Sequence, residues 1–475
     1  MPSLAANPPT ASVFLRQLQQ LLNTLYQPAQ AGDSLYHSMQ RFFQKELAQW
    51  QKLPELERNW QQARKQQDPQ QVRRERQRYT QLSHQLEQQR LARLEHCMHW
   101  SEQLLHLSEG MNHAETLTRS ARILGSLQLL VPEQPRRATE VQFSYKLIYK
   151  VVLVLRLLEH RLQLQQMPEE WQQLWQQRSD LSQPTSYCPF REQIQLPLIM
   201  AIMLQDFGQL HPEAQALLNG PADKLDPLKA LSPSAREQFL LISQQAGTDL
   251  LELGLGFWPY QGNDKTERTA HMATQLKRQQ WIQQMLASGQ QPGSGAGNLL
   301  KVPQVYTSIV MPGRRGFSYE ALPKAALLLK EGVKRQLYSA EWVDQLLRIT
   351  GLFPQGYGLA FIPSSHTGQP KDKYEFAIVN ALYPKHPEMP HCRIVTRNLQ
   401  YKNSGKDCII KVEQNLYFRQ ARKQLEVVPA ERLQHILSKL FTDSEQRFLR
   451  QLLPRCWQPN DFFAHPAHQN LWNKG

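Results

Sequence analysis

The segment Ile199-Met200-Ala201-Ile202-Met203-Leu204-Gln205-Asp206-Phe207-Gly208-Gln209-Leu210 decides how the rest of the chain is read. It is apolar up to Leu204, so it reads as a helix of the protein core. The run then ends in a polar pair, Gln205-Asp206, followed by Phe207, Gly208 and Gln209. A carboxylate at the end of a buried helix needs either a bound cation or a hydrogen-bonding neighbour.

Outward from that helix, the chain has 475 residues, enough for two to four domains of ordinary size. It is 41% hydrophobic and 20% charged, which excludes global disorder. A net charge of +14 and a pI near 9.5 favour acidic partners: nucleotides, nucleic acid, anionic lipid or an acidic protein. The same charge is equally well read as solvated basic helices. Glutamine pairs such as Gln61-Gln62, Gln66-Gln67, Gln70-Gln71 and Gln88-Gln89 lie among Arg and Leu in helical patterns, as a polar helix surface. Five scattered cysteines, Cys97, Cys188, Cys392, Cys408 and Cys456, read as free thiols of a reducing compartment. The N-terminus carries no basic-then-apolar leader pattern. The most apolar helix, Leu147 to Leu158, is interrupted by Lys150 and Arg156 and is too short and too charged to span a bilayer. The expectation is a cytoplasmic protein with at most peripheral membrane contact.

Three regions follow from the patterning: a helical, Gln/Arg-rich stretch over 1–125, a helical domain over 126–350, and a small β unit with final helices over 351–475. In the first, Asp68-Pro69 reads as a helix start, Asp as N-cap and Pro at the first helical position. The pattern then continues to about Leu107, a rod of about 58 Å at the usual rise. Sustained heptads are absent, so an antiparallel bundle is favoured over a zipper. Helices are expected over 141–165, 168–178, 190–207, 232–254, 266–287 and 322–350, with residues 289–298 (GQQPGSGAGN) as a flexible loop. Residues 356–361, 374–382, 392–398 and 407–412 read as short antiparallel strands. Leu433, Ile436, Leu437 and Leu440 share a helix face, and Thr442-Asp443-Ser444-Glu445 reads as a capping box opening the next helix.

On these residues the stretch from about Glu140 to Ser365 resembles an HD-GYP domain of the HD-type phosphohydrolase superfamily. The core helix of that family ends in His-Asp, an apolar residue, Gly and Lys; here Gln205 replaces the His and Gln209 the Lys. Ser243 stands where the next helix of the family has a His, four residues before Gly247. The residues Ile282-Gln283 fall at the family's His-His stretch, and Tyr306 and Ile309 fall at two Asp positions. Phe353-Pro354-Gln355-Gly356 resembles the exit strand. The resemblance implies a helical bundle of the HD type and, in active members, two or three metal ions that hydrolyse cyclic di-GMP. A metal pair needs several His and carboxylate ligands, and only Asp206 of the relic set remains.

The implied fold is therefore mainly α: an HD-like bundle, a helical N-terminal region, and a small C-terminal β unit plus helices. The implied function is a catalytically inactive signalling or scaffold protein of a bacterial pathway, binding a protein partner and cyclic di-GMP or another nucleotide without hydrolysis. No cofactor is expected, and Asp206 is the one position for a metal. Arg314, Arg315, Lys334 and Arg335 are the candidate phosphate contacts, since a guanidinium suits bidentate phosphate binding. Two alternatives stay open. One is an active metal-dependent phosphodiesterase with a rearranged site recruiting His211, Glu213, Asp264 or His271 beside Asp206. The other is a basic adaptor for nucleic acid or acidic protein. His96, Cys97 and His99 are read as ordinary helix residues, because adjacent Cys97 points away from the two histidines.

Overall fold

The structure, a computed structural model, describes residues 12–27, 34–133, 137–178, 187–220, 226, 229–313, 316–365, 367–403, 405–440 and 452–472. It is mainly α with a small antiparallel sheet near the C-terminus, as the patterning implies. The N-terminal helices are α1 (Val13–Leu25), α2 (Leu35–Arg41), α3 (Leu47–Gln66), α4 (Pro69–Ser108) and α5 (His113–Leu130). Asp68 caps α4 as expected, its Oδ1 accepting from the backbone N–H groups of Gln70 at 3.0 Å and Gln71 at 3.2 Å. Gln67, at φ 57°, turns α3 back along the first half of α4, where Trp60 and Tyr79 stack with centroids 5.6 Å apart. That half is largely exposed; from Leu86 onward α4 buries one face in the core.

The central helices are α6 (Ala138–Glu140), α7 (Lys146–Gln163), α8 (Glu169–Gln176), α9 (Leu196–Phe207), α10 (Pro212–Asn219), α11 (Pro233–Asp249), α12 (Lys265–Gln290), α13 (Asn298–Val310), α14 (Ala325–Lys334) and α15 (Ala340–Thr350). α7 is buried from Lys146 through Leu162 and is the axis on which α5, α8, α9, α13 and α15 pack. The expected single helix over 190–207 opens into a π turn at Arg191–Gln195 before α9. Pro197 explains the wider turn, because it has no N–H to give to the carbonyl four residues back. The stretch expected as one helix over 322–350 is broken between α14 and α15. Gln336 takes a left-handed φ of 57°, and Tyr338 folds over Gly332, where a β-carbon would lie 2.0 Å from its hydroxyl.

Residues 289–298 differ most from the sequence expectation. They form a compact turn pinned by Asn298, which is wholly buried. Its amide donates to the carbonyls of Gly293 at 3.0 Å and Gly295 at 2.9 Å, while its Oδ1 accepts from the N–H of Ser339. Trp342 Nε1 adds a bond to the carbonyl of Ser294. Small residues let the backbone pack closely here: at Gly297 a β-carbon would lie 2.0 Å from the carbonyl oxygen of Ser288.

The sheet has the order β1 (Gly358–Phe361), β2 (Glu375–Val379), β3 (His391–Ile394), β6 (Asp407–Ile409), all antiparallel, with a two-stranded ribbon of β4 (Thr396–Arg397) and β5 (Gln400–Tyr401). Phe376 stacks on Trp457 with centroids 4.6 Å apart, which ties β2 to the C-terminal segment. The last helices are α16 (Arg419–Leu425), α17 (Ala430–Leu440) and α18 (Asn460–Ala464). Leu433, Ile436, Leu437 and Leu440 are the buried face of α17, as read from their spacing. The capping box Thr442–Glu445 lies outside the described residues. Buried apolar side chains form one connected cluster from Phe14 to Trp472. Among the described residues no helix is long and apolar enough to cross a membrane.

Candidate functional site

Asp206 sits near the end of α9 with its carboxylate turned toward α7. There the ammonium of Lys150 meets it at 2.6 Å, and both side chains are only 3% exposed. Lys150 also donates to Oε1 of Gln205 at 3.2 Å. The amide of Gln205 passes the network on to Oε1 of Gln304 on α13 at 3.3 Å. Burial raises the Asp206 carboxyl above its usual range, and the nearby Lys150 and Lys146 counter this only in part. The cation that the buried carboxylate requires is thus a side chain of this chain. Lys150, one of the two charges that interrupt the apolar run of α7, is there to meet Asp206.

Gln205, Gln209 and Ser243 line a common cavity of about 60 Å³ beside this pair, together with Gln244, Gln290 and Gln304. At roughly 30 Å³ per water, that is room for about two waters. Its charged wall is Lys301, whose ammonium is lowered from its ordinary value by burial and then by Arg236. The hydroxyl of Ser243 is buried without a hydrogen-bond partner among the described residues. Tyr306 and Ile309 lie in the core on α13, and Tyr306 stands beside Tyr149 and Thr350. The fold therefore gathers Gln205, Asp206, Gln209 and Ser243 closely, and lays Tyr306 and Ile309 along the neighbouring helix.

Gly208 and Gly247 have a packing reason. A β-carbon on Gly208 would lie 2.2 Å from the carbonyl oxygen of Ser243, and one on Gly247 would lie 3.2 Å from that of Leu204. The end of α9 and the middle of α11 touch through backbone at these two points. Gly208→Ala must push the helices apart, and a loss of about 1–3 kcal/mol is expected, the usual cost of overpacking. Gly247→Ala, with the looser contact, should lose less. Thermal melts of the two variants against the parent check the order.

The remaining candidates lie elsewhere. Arg314 and Arg315 are outside the described residues. Lys334 and Arg335 are exposed at the end of α14, both paired with Glu331, and neither lines the cavity beside Gln205. Of the residues considered for a rearranged metal site, His211 packs edge-on against Phe43, Glu213 is exposed, Asp264 caps α12 by accepting from the N–H of Glu267, and His271 Nε2 lies 2.8 Å from the carbonyl of Trp258. Cys97 is buried while His99 is exposed and bonded to Gln103, in keeping with their ordinary reading. Among the described residues no three His, Cys, Asp or Glu side chains are grouped to hold a metal ion.

Sequence reasoning missed a second polar cluster, on the other half of α7. Arg156, 2% exposed, bridges Glu109 and Glu159; its NH1 donates to Glu159 at 2.8 Å and its NH2 to Glu109. His113 lies 3.2 Å from Glu159. Burial alone would raise the Glu159 carboxyl, but Arg156, His113 and Arg178 outweigh it and hold it at about 2. Five residues on, Arg161 donates to Glu341 at 2.7 Å and lies 4.1 Å from the centroid of the Trp342 ring. The available signal was the set of charges interrupting the apolar pattern of α7, each of which needs a buried partner. No protein-family model, curated protein or solved structure matches the chain.

Proposed function

We propose that this chain is a non-hydrolytic binding and scaffold protein built on an HD-like helical bundle, serving a bacterial signalling pathway. The observation that carries the reading is the ammonium of Lys150 at 2.6 Å from the Asp206 carboxylate. A metal-dependent phosphodiesterase uses such a carboxylate to hold a dication, which polarises the phosphoryl group and generates hydroxide at neutral pH. A lysine in salt-bridge contact neutralises the same carboxylate and occupies its approach. Around it, amide and hydroxyl groups at Gln205, Gln209 and Ser243 are poor ligands for a catalytic dication. What the sequence keeps are the elements that hold α9 on α11, Gly208 and Gly247 among them.

A cyclic dinucleotide remains a candidate regulatory ligand, held through its phosphates and left intact. The test is incubation of the full chain with cyclic di-GMP and manganese or ferrous iron, followed by chromatography of the nucleotides. The expected result is unchanged cyclic di-GMP. Linear dinucleotide or GMP formed by the parent and lost in Asp206→Ala would overturn the reading in favour of an active phosphodiesterase.

A further inference from the structure

A larger cavity, of about 220 Å³, opens beside the second half of α7. At roughly 30 Å³ per water it holds about seven waters, the bulk of a free amino acid. We propose that this cavity binds a free α-amino acid with an apolar side chain. The inference is independent of the Asp206 site, since Arg156 lies about 9 Å along the helix from Lys150 at the usual rise.

Some of the polar groups lining the cavity are already committed to one another. Arg156 spends both terminal nitrogens on Glu109 and Glu159. Glu159 is further engaged by His113. Two acceptors lack a hydrogen bond from a described residue, and one cation is held only at long range. The second carboxylate oxygen of Glu109 accepts no hydrogen bond from a described residue, because Arg156 binds only the first. Oε1 of Gln195, a side chain 3% exposed, is buried with no partner among the described residues. The guanidinium of Arg178 pairs with Glu159 only at 3.9 Å, without a hydrogen bond to it, and lies 4.5 Å from the centroid of the Trp175 ring, so its donors can turn to a ligand carboxylate.

Two of these are acceptors and one is a cationic donor. An α-ammonium, with three N–H groups, suits Glu109 and Gln195. An α-carboxylate suits Arg178, whose planar fork can bind both oxygens. Leu155, Leu158 and Phe190 supply an apolar wall for the side chain. The lining carboxylates Glu109 and Glu159 balance the guanidiniums Arg156 and Arg178, so a zwitterion enters without adding net charge, whereas a free anion or cation would unbalance the site.

The test is isothermal titration of the full chain with L-leucine, L-methionine and L-phenylalanine. Saturable binding of at least one is expected. Leucinamide lacks the carboxylate and N-acetyl-leucine lacks the ammonium; each should bind about tenfold more weakly or worse. Arg178→Gln, at a partly exposed position, should retain the parent's circular dichroism and lose affinity by a similar factor. Gln195→Met, close in volume, should also weaken binding. No heat from any of the three amino acids at millimolar concentration would overturn the proposal. So would equal affinity for leucinamide, or unchanged affinity in both variants.

Discussion

Lys150→Ala is expected to destabilise the protein by about 3–5 kcal/mol, the usual cost of leaving one member of a buried ion pair alone. Asp206 and Lys150 are each 3% exposed, so water cannot replace the lost ammonium without opening the interface between α7 and α9. Gln205 would lose its donor in the same step, because Lys150 also bonds its Oε1. The double change Lys150→Met with Asp206→Leu removes both charges and fills their space, and much of the loss should be recovered. Chemical denaturation of parent, single and double variants reads the difference. A single variant as stable as the parent would mean that the pair is not a buried ionic contact.

Arg156→Met should cost a similar amount, about 3–5 kcal/mol, since it leaves Glu109 without its ion-pair partner and takes from Glu159 the nearest of its three cationic neighbours. Its pH dependence should also shift from the parent's. In the parent, Glu159 is held at about 2, below its ordinary 4.5. Its contribution is fully present above the ordinary value and is lost as pH falls from there toward 2. Without Arg156 the opposing guanidinium is gone, and burial, which already raises the Glu109 carboxyl, acts unopposed by it. A raised carboxyl stabilises the folded state as pH falls, because the folded form then binds the proton more readily. The variant should therefore lose less stability, or gain more, than the parent on mild acidification. Urea denaturation midpoints at neutral pH and near pH 5 separate the two behaviours.

Much of the fold was legible because it depends on local chemistry. Asp68-Pro69 starts α4, the Leu433 to Leu440 face is buried in α17, and the β runs between Gly358 and Ile409 pair as short antiparallel strands. Two departures have tertiary causes. The glycine-rich stretch over 289–298 reads as loose by composition, yet Asn298 and Trp342 pin it through contacts distant in sequence. The break between α14 and α15 comes from Tyr338 closing on Gly332, in a segment whose own pattern is helical. At the candidate site, the position of Asp206 at the end of a core helix was legible, but its partner was not. Lys150 lies on another helix, and its charge was read only as an obstacle to membrane insertion. The same holds for Arg156, whose acceptor Glu109 follows the end of α4. A charge in an apolar helix announces that a partner exists without saying where it is.

The central claim is that Asp206 is neutralised by Lys150 and holds no catalytic dication. Manganese content per chain after reconstitution and desalting, measured for the parent and for Asp206→Ala, tests it most directly. The account predicts no stoichiometric manganese in either protein. One or more manganese ions per parent chain, lost in Asp206→Ala, would contradict it.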